Sequence, residues 1–313
     1  MSINYIILAH KNPTQLNRLI RKLYEPWTYL YIHIDRNINI KPFKDVLKEF
    51  ENVIFLENDD RYSGVWGDIG IVKGTLSAMR RIVNDKKKGY TVLLSGQDYP
   101  LRNNKNIYDF FKDSHNNHIE IKKIDKLWGT NGLDRITKYK INKSNKRGDF
   151  MLLPTIFDKN FYKSKTFGKL NFLRKSRKFE SIFKIFRKRR FPIHIEAYGG
   201  SVYWAFPTTT IEKILEFIKN NPHYIIYHKY SLCPDEIFFH SIIAHLQIIN
   251  DIPTENSITY VNWDKKNVKL PVTFEKSDFN ELQNASINYL FARKFDIDID
   301  NGILDKLDSE FLN

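Results

Sequence analysis

The first hundred residues alternate between short apolar runs and longer segments whose apolar residues recur at helical spacing. The apolar, β-branched runs predict buried strands at residues 4–9, 29–34, 52–56 and 90–94. The segments between them predict helices at residues 13–24, 42–50 and 68–82. Strands that alternate with helices indicate βαβ units. We therefore expect an α/β fold with a mostly parallel central sheet and helices on both faces.

Polar clusters follow three of these strands, at the points where the strands end. They are His10-Lys11-Asn12, Asp35-Arg36-Asn37 and Ser95-Gly96-Gln97-Asp98-Tyr99-Pro100. In open α/β sheets, ligands bind beyond the carboxyl ends of the strands. The three clusters are therefore expected to converge on one edge of the sheet as a binding site.

The rest of the chain is less regular. Residues 115–195 are predicted to be irregular and basic. Beyond them we expect a strand at 198–206, helices at 208–220 and 234–247, and a final helix with a strand-like end over 273–295. Neither an internal repeat nor a flexible linker divides the chain, so we expect one domain over residues 1–313.

Composition supports a folded protein with an uneven charge. The 313 residues are 42% apolar, which is enough for a sizeable core, and the formal net charge is +14. Most of that charge lies between residues 159 and 190, where thirteen Lys and Arg side chains accompany a single acid, Glu180. Apolar residues recur among them. Such a segment suits a helix lying on anionic lipid, a nucleic-acid patch, or a solvated insertion whose apolar side covers the core.

Cysteine content and the N-terminus bear on the compartment. The single cysteine, Cys233, excludes a disulfide within the chain and fits a reducing compartment, with a secreted protein free of disulfides as the alternative. The apolar stretch at residues 5–9 is too short for the core of a signal peptide. We therefore expect a protein that stays in the cytoplasm.

Metal-binding motifs are sparse. The chain contains no phosphate-binding glycine loop, HExxH or CxxC. After the strand at 90–94, Asp98 stands alone where many sugar-nucleotide enzymes present an Asp-x-Asp pair. The row Asp296-Ile297-Asp298-Ile299-Asp300 has that spacing, but a half-buried edge strand gives the same alternation. No metal is therefore expected.

Other residues have both a functional and an ordinary interpretation. Asp235 and Glu236, after Cys233-Pro234, mark the start of a helix, where the helix dipole stabilises acidic side chains. One of them could instead be a general base. His10 and Asp35 end strands. Trp66 and Trp263 could stack on a ligand or lie in the core. Lys269, Arg293 and Lys294 could contact a ligand or lie on a solvated face.

Taken in order, several short motifs resemble one known family. They are Ile7-Leu8-Ala9-His10-Lys11, Ile32-His33-Ile34-Asp35, Val65-Trp66-Gly67, the cluster at 94–100, Gly200-Ser201, Pro234-Asp235-Glu236 and Phe291-Ala292-Arg293-Lys294-Phe295-Asp296. The family is that of the core-2/I-branching β-1,6-N-acetylglucosaminyltransferases, which also includes the peptide O-xylosyltransferases. The resemblance covers residues 3–300, and the section 125–195 does not match.

The resemblance implies a GT-A (Rossmann-like) fold and an inverting, metal-independent transfer from a UDP-sugar, with no cofactor. On matching positions, Glu236 would be the catalytic base, and Lys294 and Lys269 would neutralise the diphosphate. The donor would contact Ala9, His10, Asp35, Asp98 and Arg293, of which Arg293 could instead face solvent or a carboxylate. Trp263 is the candidate for the acceptor. Residues 1–115 would form the nucleotide-sugar half, 125–195 a basic insertion and 196–300 the acceptor and catalytic half.

The function expected from these residues is addition of a sugar, such as N-acetylglucosamine or xylose, to a glycan of the bacterial surface. A lipid-linked acceptor would give residues 159–190 a role at the inner face of the cytoplasmic membrane, and no nucleic acid is expected as a partner. The alternative is a non-catalytic protein of the same fold that binds anionic lipid or nucleic acid through that segment.

Overall fold

The computed structural model describes residues 1–192, 194–250 and 253–312. The strands are β1 (Ser2–Ala9), β2 (Thr28–Ile34), β3 (Val53–Phe55), β4 (Gly89–Ser95), β5 (Asp98–Pro100), β6 (Asn117–His118), β7 (Lys122–Lys123), β8 (Tyr139–Asn142), β9 (Phe150–Leu153), β10 (Tyr198–Gly199), β11 (Ala205–Pro207), β12 (Thr254–Glu255), β13 (Thr259–Val261) and β14 (Phe291–Arg293). The helices are α1 (Pro13–Leu23), α2 (Lys41–Leu47), α3 (Gly70–Asn84), α4 (Asn104–Lys112), α5 (Ile124–Thr137), α6 (Ser164–Lys175), α7 (Phe179–Phe183), α8 (Thr208–Asn220), α9 (Pro222–His228), α10 (Phe238–Asn250), α11 (Phe279–Ala285) and α12 (Gly302–Glu310).

The described residues form a central sheet in the order β12-β6-β11-β4-β1-β2-β3. β11 runs antiparallel to both of its neighbours, and the other strands share one direction. Leu8 lies opposite Ser95 and Ala9 opposite Ile34, so β4, β1 and β2 end level with one another. The mostly parallel sheet expected from the sequence is confirmed.

Helices cover both faces of this sheet because successive side chains of each strand point to opposite faces. On β1, Ile3, Tyr5 and Ile7 join the core packed by α1 and α12, while Ile6 joins the core packed by α3, α8 and α10. The expected α/β layering is therefore confirmed.

A second, smaller sheet brings distant parts of the chain to the same edge. β14 pairs with β13 in parallel and with β5 in antiparallel, which sets Arg293 opposite Asp98. The residues that follow β4 thus meet those near the C-terminus.

Several expected elements differ in the structure. Residues 198–206 form two short strands, β10 and β11, because the Gly199-Gly200 backbone turns to pack against α5 and α10; a Cβ on Gly200 would lie 2.2 Å from the Glu120 carbonyl oxygen. Residues 234–236 form a 3₁₀ turn ahead of α10. Residues 296–300 are a turn and not an edge strand, with Asp300 accepting bonds from the amides of Lys276 and Ile303.

The region 115–195 is more regular than its sequence indicates. β8 and β9 form an antiparallel hairpin, and α6 and α7 pack against it through a small apolar cluster. Hairpin residues Tyr139, Ile141 and Leu153 meet Leu173 and Ile185 there. Part of the basic segment 159–190 thus covers this satellite core, in agreement with the interpretation of an insertion whose apolar side packs on a core.

Candidate active site

The loops after β1, β2 and β4 meet at one edge of the sheet. The Asp35 amide donates to the Ala9 carbonyl at 2.9 Å, and the Gly96 amide donates to the Leu8 carbonyl at 3.0 Å. The approach between the loops is close, since a Cβ on Gly96 would lie 3.1 Å from the Ala9 Cβ. The expected convergence of the polar clusters is confirmed.

Asp35 is held in one orientation. Its Oδ1 accepts from the Asn37 amide and its Oδ2 from the Gly64 amide, both at 2.8 Å. Arg61 braces the same turn by donating to the carbonyls of Ile34 and Asp35. A Cβ at position 64 would lie 2.8 Å from Asp35 Oδ2, so glycine is required there for this contact.

Positive groups gather beside Asp35. Burial, then the neighbouring Arg293, and also Lys11 and Arg147, hold the pKa of Lys294 below its usual range. The pKa of His10 is lowered by burial and by Lys11, Lys294 and Arg293, against the opposite effect of Asp35. Among the described residues, the Lys294 ammonium has no ion-pair partner. A cluster of like charges with a free member favours an anionic ligand.

Asp98 lies beneath this cluster. It is 1% exposed, and its carboxylate accepts from the Ser95 amide at 2.6 Å and from the Ser95 hydroxyl at 2.8 Å. Arg293 Nη1 is 3.5 Å from Asp98 Oδ1, and the guanidinium also lies 4.3 Å from the centroid of the Tyr203 ring. Burial raises the pKa of Asp98. Asp98 is therefore in contact with Arg293, which faces a carboxylate, one of the two positions expected for it.

The C-terminal segment is tied to the end of β1. Lys11 Nζ lies 2.5 Å from Asp296 Oδ2, and the Gln15 amide nitrogen donates to the carbonyls of Gly96 and Phe295 at 3.0 Å. The Asp296 row is thus used in ion pairs and turn hydrogen bonds. Within the described ranges, no group of three or more His, Cys, Asp or Glu side chains is arranged to hold a metal ion.

Glu236 lies on the 3₁₀ turn before α10, with 28% of its side chain exposed. Its carboxylate pairs with Arg135, whose guanidinium stacks 3.8 Å from the centroid of the Trp128 ring. Its carbonyl accepts from the Gly200 amide at 3.1 Å. An oriented, part-exposed carboxylate of this kind is suited to take a proton from a bound hydroxyl.

Asp235 points into the protein beside Glu236. Burial, and then the charge of Glu236, raise the pKa of Asp235 to about 7, and its Oδ1 has no hydrogen-bond partner among the described residues. Burial and the same two acids raise the pKa of the Cys233 thiol. Cys233 adopts a left-handed backbone conformation (φ 48°) directly before the 3₁₀ turn that carries Asp235 and Glu236.

The β8–β9 hairpin connects the turn that carries Asp235 and Glu236 with the cation cluster, which consists of Lys11, Arg147, Arg293 and Lys294. At its base, Lys140 pairs with Asp68 and donates to the Trp66 carbonyl at 3.1 Å. The charge of Lys140 partly opposes the rise in the pKa of Asp235. At its tip, the Arg147 guanidinium lies 5.7 Å from the centroid of the Trp66 ring, and its charge lowers the pKa of Arg293 and Lys294. The Gly67 carbonyl accepts from the Cys233 amide at 3.1 Å.

Lys269 and Trp263 lie on an exposed segment, 262–270, between β13 and β14. Trp263 is 56% exposed, and the structure gives Lys269 no hydrogen bond or ion pair within the described residues. These two residues are therefore not joined to the cation cluster by any contact, and their assigned roles stay predictions.

Two residues of this site were missed from the sequence. Arg147 and Arg135 both lie in the section 125–195, which lacks motifs and reads as a run of ordinary basic residues. Arg135 sits on a helix whose apolar pattern is weak because Gly129 interrupts it, with φ 57°. Only the hairpin and this broken helix, seen in three dimensions, bring the two arginines to the site.

Comparison with known proteins bears on the family to which the chain belongs. The sequence model of the Core-2/I-Branching enzyme family matches residues 3–288. Xylosyltransferase 1 and xylosyltransferase 2 of Rattus norvegicus are 22% identical over 98% of this chain, which spans about a third of their length (35% and 33%). Xylosyltransferase 1 of Homo sapiens is also 22% identical, with 30% of its length covered.

Solved structures align over most of the chain with low similarity. The apo structure of the bifunctional glycosyltransferase WbbM has a TM-score of 0.39 and 8% identity, covering 93% of this chain and 45% of that one. A 4-diphosphocytidyl-2C-methyl-D-erythritol synthase from Anaerococcus prevotii has a TM-score of 0.36 and 10% identity, covering 91% and 95%. The sequence match over residues 3–288 shows that the chain belongs to the Core-2/I-Branching enzyme family.

Proposed function

We propose that the protein is an inverting glycosyltransferase that moves a sugar from a UDP-sugar to a hydroxyl of a glycan acceptor. The observation that carries the proposal is the cation cluster with its unpaired Lys294, at the carboxyl edge of the sheet and linked by the β8–β9 hairpin to the turn that bears Glu236. Family membership and the names of the xylosyltransferase relatives support it.

In this reaction Glu236 removes the proton of the acceptor hydroxyl as the oxygen attacks the anomeric carbon. The bond from that carbon to the diphosphate breaks, and charge develops on the departing oxygen. Lys294, supported by Arg293 and Arg147, stabilises that charge, because fixed cations stabilise a developing anion more strongly than water does. Arg135 pairs with Glu236 and orients its carboxylate. This set of groups needs no metal.

The donor is proposed to be UDP-N-acetylglucosamine or UDP-xylose. The edge around Ala9, His10 and Asp35 is proposed for the uridine and the sugar, since backbone groups and a fixed carboxylate suit neutral hydroxyls and ring nitrogens. The acceptor is proposed to be a glycan of the bacterial surface, assembled in the cytoplasm, with Trp263 as a stacking surface for it.

The test is a screen of UDP-sugars for protection against thermal unfolding and for hydrolysis or transfer. UDP and one UDP-sugar are expected to raise the melting temperature. Glu236→Gln should lose transfer by about 10²–10⁴-fold and keep UDP protection, since a general base contributes about that much. Near-wild-type transfer by this variant would exclude Glu236 as the base.

A non-catalytic protein of the same fold is the rival. It would show neither UDP protection nor hydrolysis of any UDP-sugar, while binding a vesicle or an oligonucleotide. The ion pair that orients Glu236 and the unpaired Lys294 favour the enzyme, because both lie outside the segment 159–190 through which the rival would bind.

A further inference from the structure

A surface outside the sequence motifs combines exposed aromatic rings with exposed cations. We name it the aromatic–basic face. Its large exposed apolar side chains are Phe157, Tyr162, Phe167, Phe172, Phe179, Phe183 and Phe186. In the part of the chain that the structure describes, every exposed Phe lies between residues 157 and 186. Folded proteins seldom leave so many large apolar side chains together in water without a partner.

The aromatic side chains stand on the outer side of the segment. Phe179, Phe183 and Phe186 are spaced i, i+4, i+7 along α7 and the 3₁₀ turn that follows, and are 51%, 68% and 59% exposed. Ile182 and Ile185, between them, pack inward on the β8–β9 hairpin. The short helix therefore has an aliphatic inner side and an aromatic outer side.

The cations around these rings are also exposed. The exposed ones are Lys159, Lys163, Lys165, Arg174, Lys175, Arg177, Arg187, Lys188 and Arg190. Arg189 is not part of the face, because it is 7% exposed and donates to the carbonyls of Lys138, Tyr227 and Tyr230. Glu180 is the one acid between 159 and 190, and it is paired with Lys184.

We propose that the aromatic–basic face docks the protein on the surface of an anionic lipid bilayer. Lys and Arg near such a surface are attracted by its negative potential, and Phe side chains on the outer side of a helix enter the boundary between head groups and acyl chains. Sites for single-stranded nucleic acid line a groove on which bases stack. Here the rings project from the outer sides of two short helices, which fits a broad surface better.

The face is also tied to the candidate active site. α6 and α7 pack on the hairpin whose tip carries Arg147 and whose base carries Lys140. Docking through the outer sides of these helices would therefore hold the hairpin of the site behind the helices, on the side away from the membrane. The docking itself rests on the surface alone and does not depend on the proposed sugar transfer.

The test is cosedimentation of the whole chain with vesicles at low salt. Binding is expected to vesicles that contain phosphatidylglycerol and not to pure phosphatidylcholine, and to weaken as salt is added. Removing the rings with Phe179→Ser, Phe183→Ser and Phe186→Ser should abolish binding. Removing charge with Lys175→Gln, Arg177→Gln, Arg187→Gln and Lys188→Gln should weaken it about 600-fold, since each of the four charges contributes about fivefold.

Matched controls lie elsewhere on the surface. Ile226 and Ile287 are as exposed as the three rings, and Arg80, Lys112, Lys213 and Lys219 are exposed cations on other helices. Substituting them in the same way should leave vesicle binding unchanged. All the variants should keep the wild-type response to UDP, so failure of docking and failure of the proposed function give different results.

Three results would overturn the proposal. One is vesicle binding that is equal in wild type and in the aromatic variant. Another is affinity for a random oligonucleotide without affinity for anionic vesicles. The third is a dimer of the wild type that the aromatic variant loses, with no vesicle binding by either. If the aromatic variant does not fold, the charge variant and the comparison of two lipid compositions still decide the matter.

Discussion

Asp235 and Glu236 show how two adjacent carboxylates come to have different roles. Both lie on one turn, but Asp235 is buried without a partner for its Oδ1, whereas Glu236 is part-exposed and paired with Arg135. Burial raises the pKa of Asp235 to about 7. The buried acid therefore changes its charge in the physiological range directly beside the proposed base.

We expect the transfer rate to respond to this ionisation. As pH rises through about 7, Asp235 becomes negative, and its charge favours movement of the acceptor proton towards this turn, so the rate should rise. Asp235→Asn should keep activity and lose the inflection near pH 7, as measured in a pH profile of kcat. Glu236→Gln is the comparison, since it should lose transfer at every pH. An unchanged inflection in Asp235→Asn would assign it to another group.

Lys294 is expected to act mainly on the departing diphosphate. Lys294→Ala should lower turnover by roughly two orders of magnitude, because losing a fixed charge at a developing anion costs on the order of 3 kcal/mol. Lys266→Ala, at an exposed position, serves as the control, and Lys269→Ala tests whether the segment 262–270 takes part.

The same assay in EDTA tests whether cations of the protein suffice. Activity of the wild type is expected to persist, because the charge comes from Lys294 and its neighbours. Loss of activity in EDTA that Mn²⁺ restores would leave the fold unaffected and overturn this mechanism.

At the scale of elements, the β8–β9 hairpin is the part that the sequence could not reveal. The strands and helices of residues 1–95 have strong periodic patterns, so their types and order could be predicted. The hairpin is short, polar and rich in lysine, and its contacts with Trp66 and Asp68 join residues about 70 apart in sequence. Sequence patterns within a window contain no information about such contacts.

The same limit applies to the candidate site. His10 and Asp35 could be found because each follows a strand, and parallel strands end at a common edge, whereas Ala9 was named through the family resemblance. Arg293 could be named, but its burial against Asp98 depends on the pairing of β14 with β5, which are almost two hundred residues apart. The role of Asp98 beneath Arg293 is therefore visible only in three dimensions.

The tip of the hairpin yields a prediction for Arg147. Its charge acts on Arg293 and Lys294, so Arg147→Ala should weaken UDP binding about tenfold, as a lost hydrogen bond to a charged group does. Lys146→Ala removes the adjacent cation of the same turn and should change the affinity little, as measured by calorimetry. Equal losses in the two variants would mean that only the general charge of the hairpin matters.

At the scale of the whole molecule, buried histidines make the free energy of unfolding depend on pH below 6.5. Burial lowers the pKa of His33 and His240 to about 4 and that of His228 to about 3, all below the unfolded value of 6.5. Below pH 6.5 the unfolded chain therefore binds more protons than the folded one, and stability is lost as pH falls towards 4. Asp235 and Asp98, whose pKa values are raised by burial, have the opposite effect but are fewer than these three histidines.

We expect the free energy of unfolding to fall between pH 6.5 and pH 5, by about 1.4 kcal/mol per pH unit for each histidine not offset by Asp235. Urea titrations at the two pH values measure this. His33→Gln should reduce the slope, whereas replacing the exposed His115 by Gln should not. A midpoint that does not move with pH would show that these histidines are protonated in the folded protein.

The link between residues 11–15 and 295–296 has a consequence for biosynthesis. Lys11 and Gln15 hold Asp296 and Phe295, which a ribosome makes about 280 residues later. The edge proposed for the nucleotide-sugar cannot close until those late residues have left the exit tunnel. A nascent chain should therefore take up donor only after residue 296 has left the tunnel. Ribosome-bound chains that hold residue 296 inside the tunnel, and chains that expose it through an added linker, should accordingly differ in UDP binding.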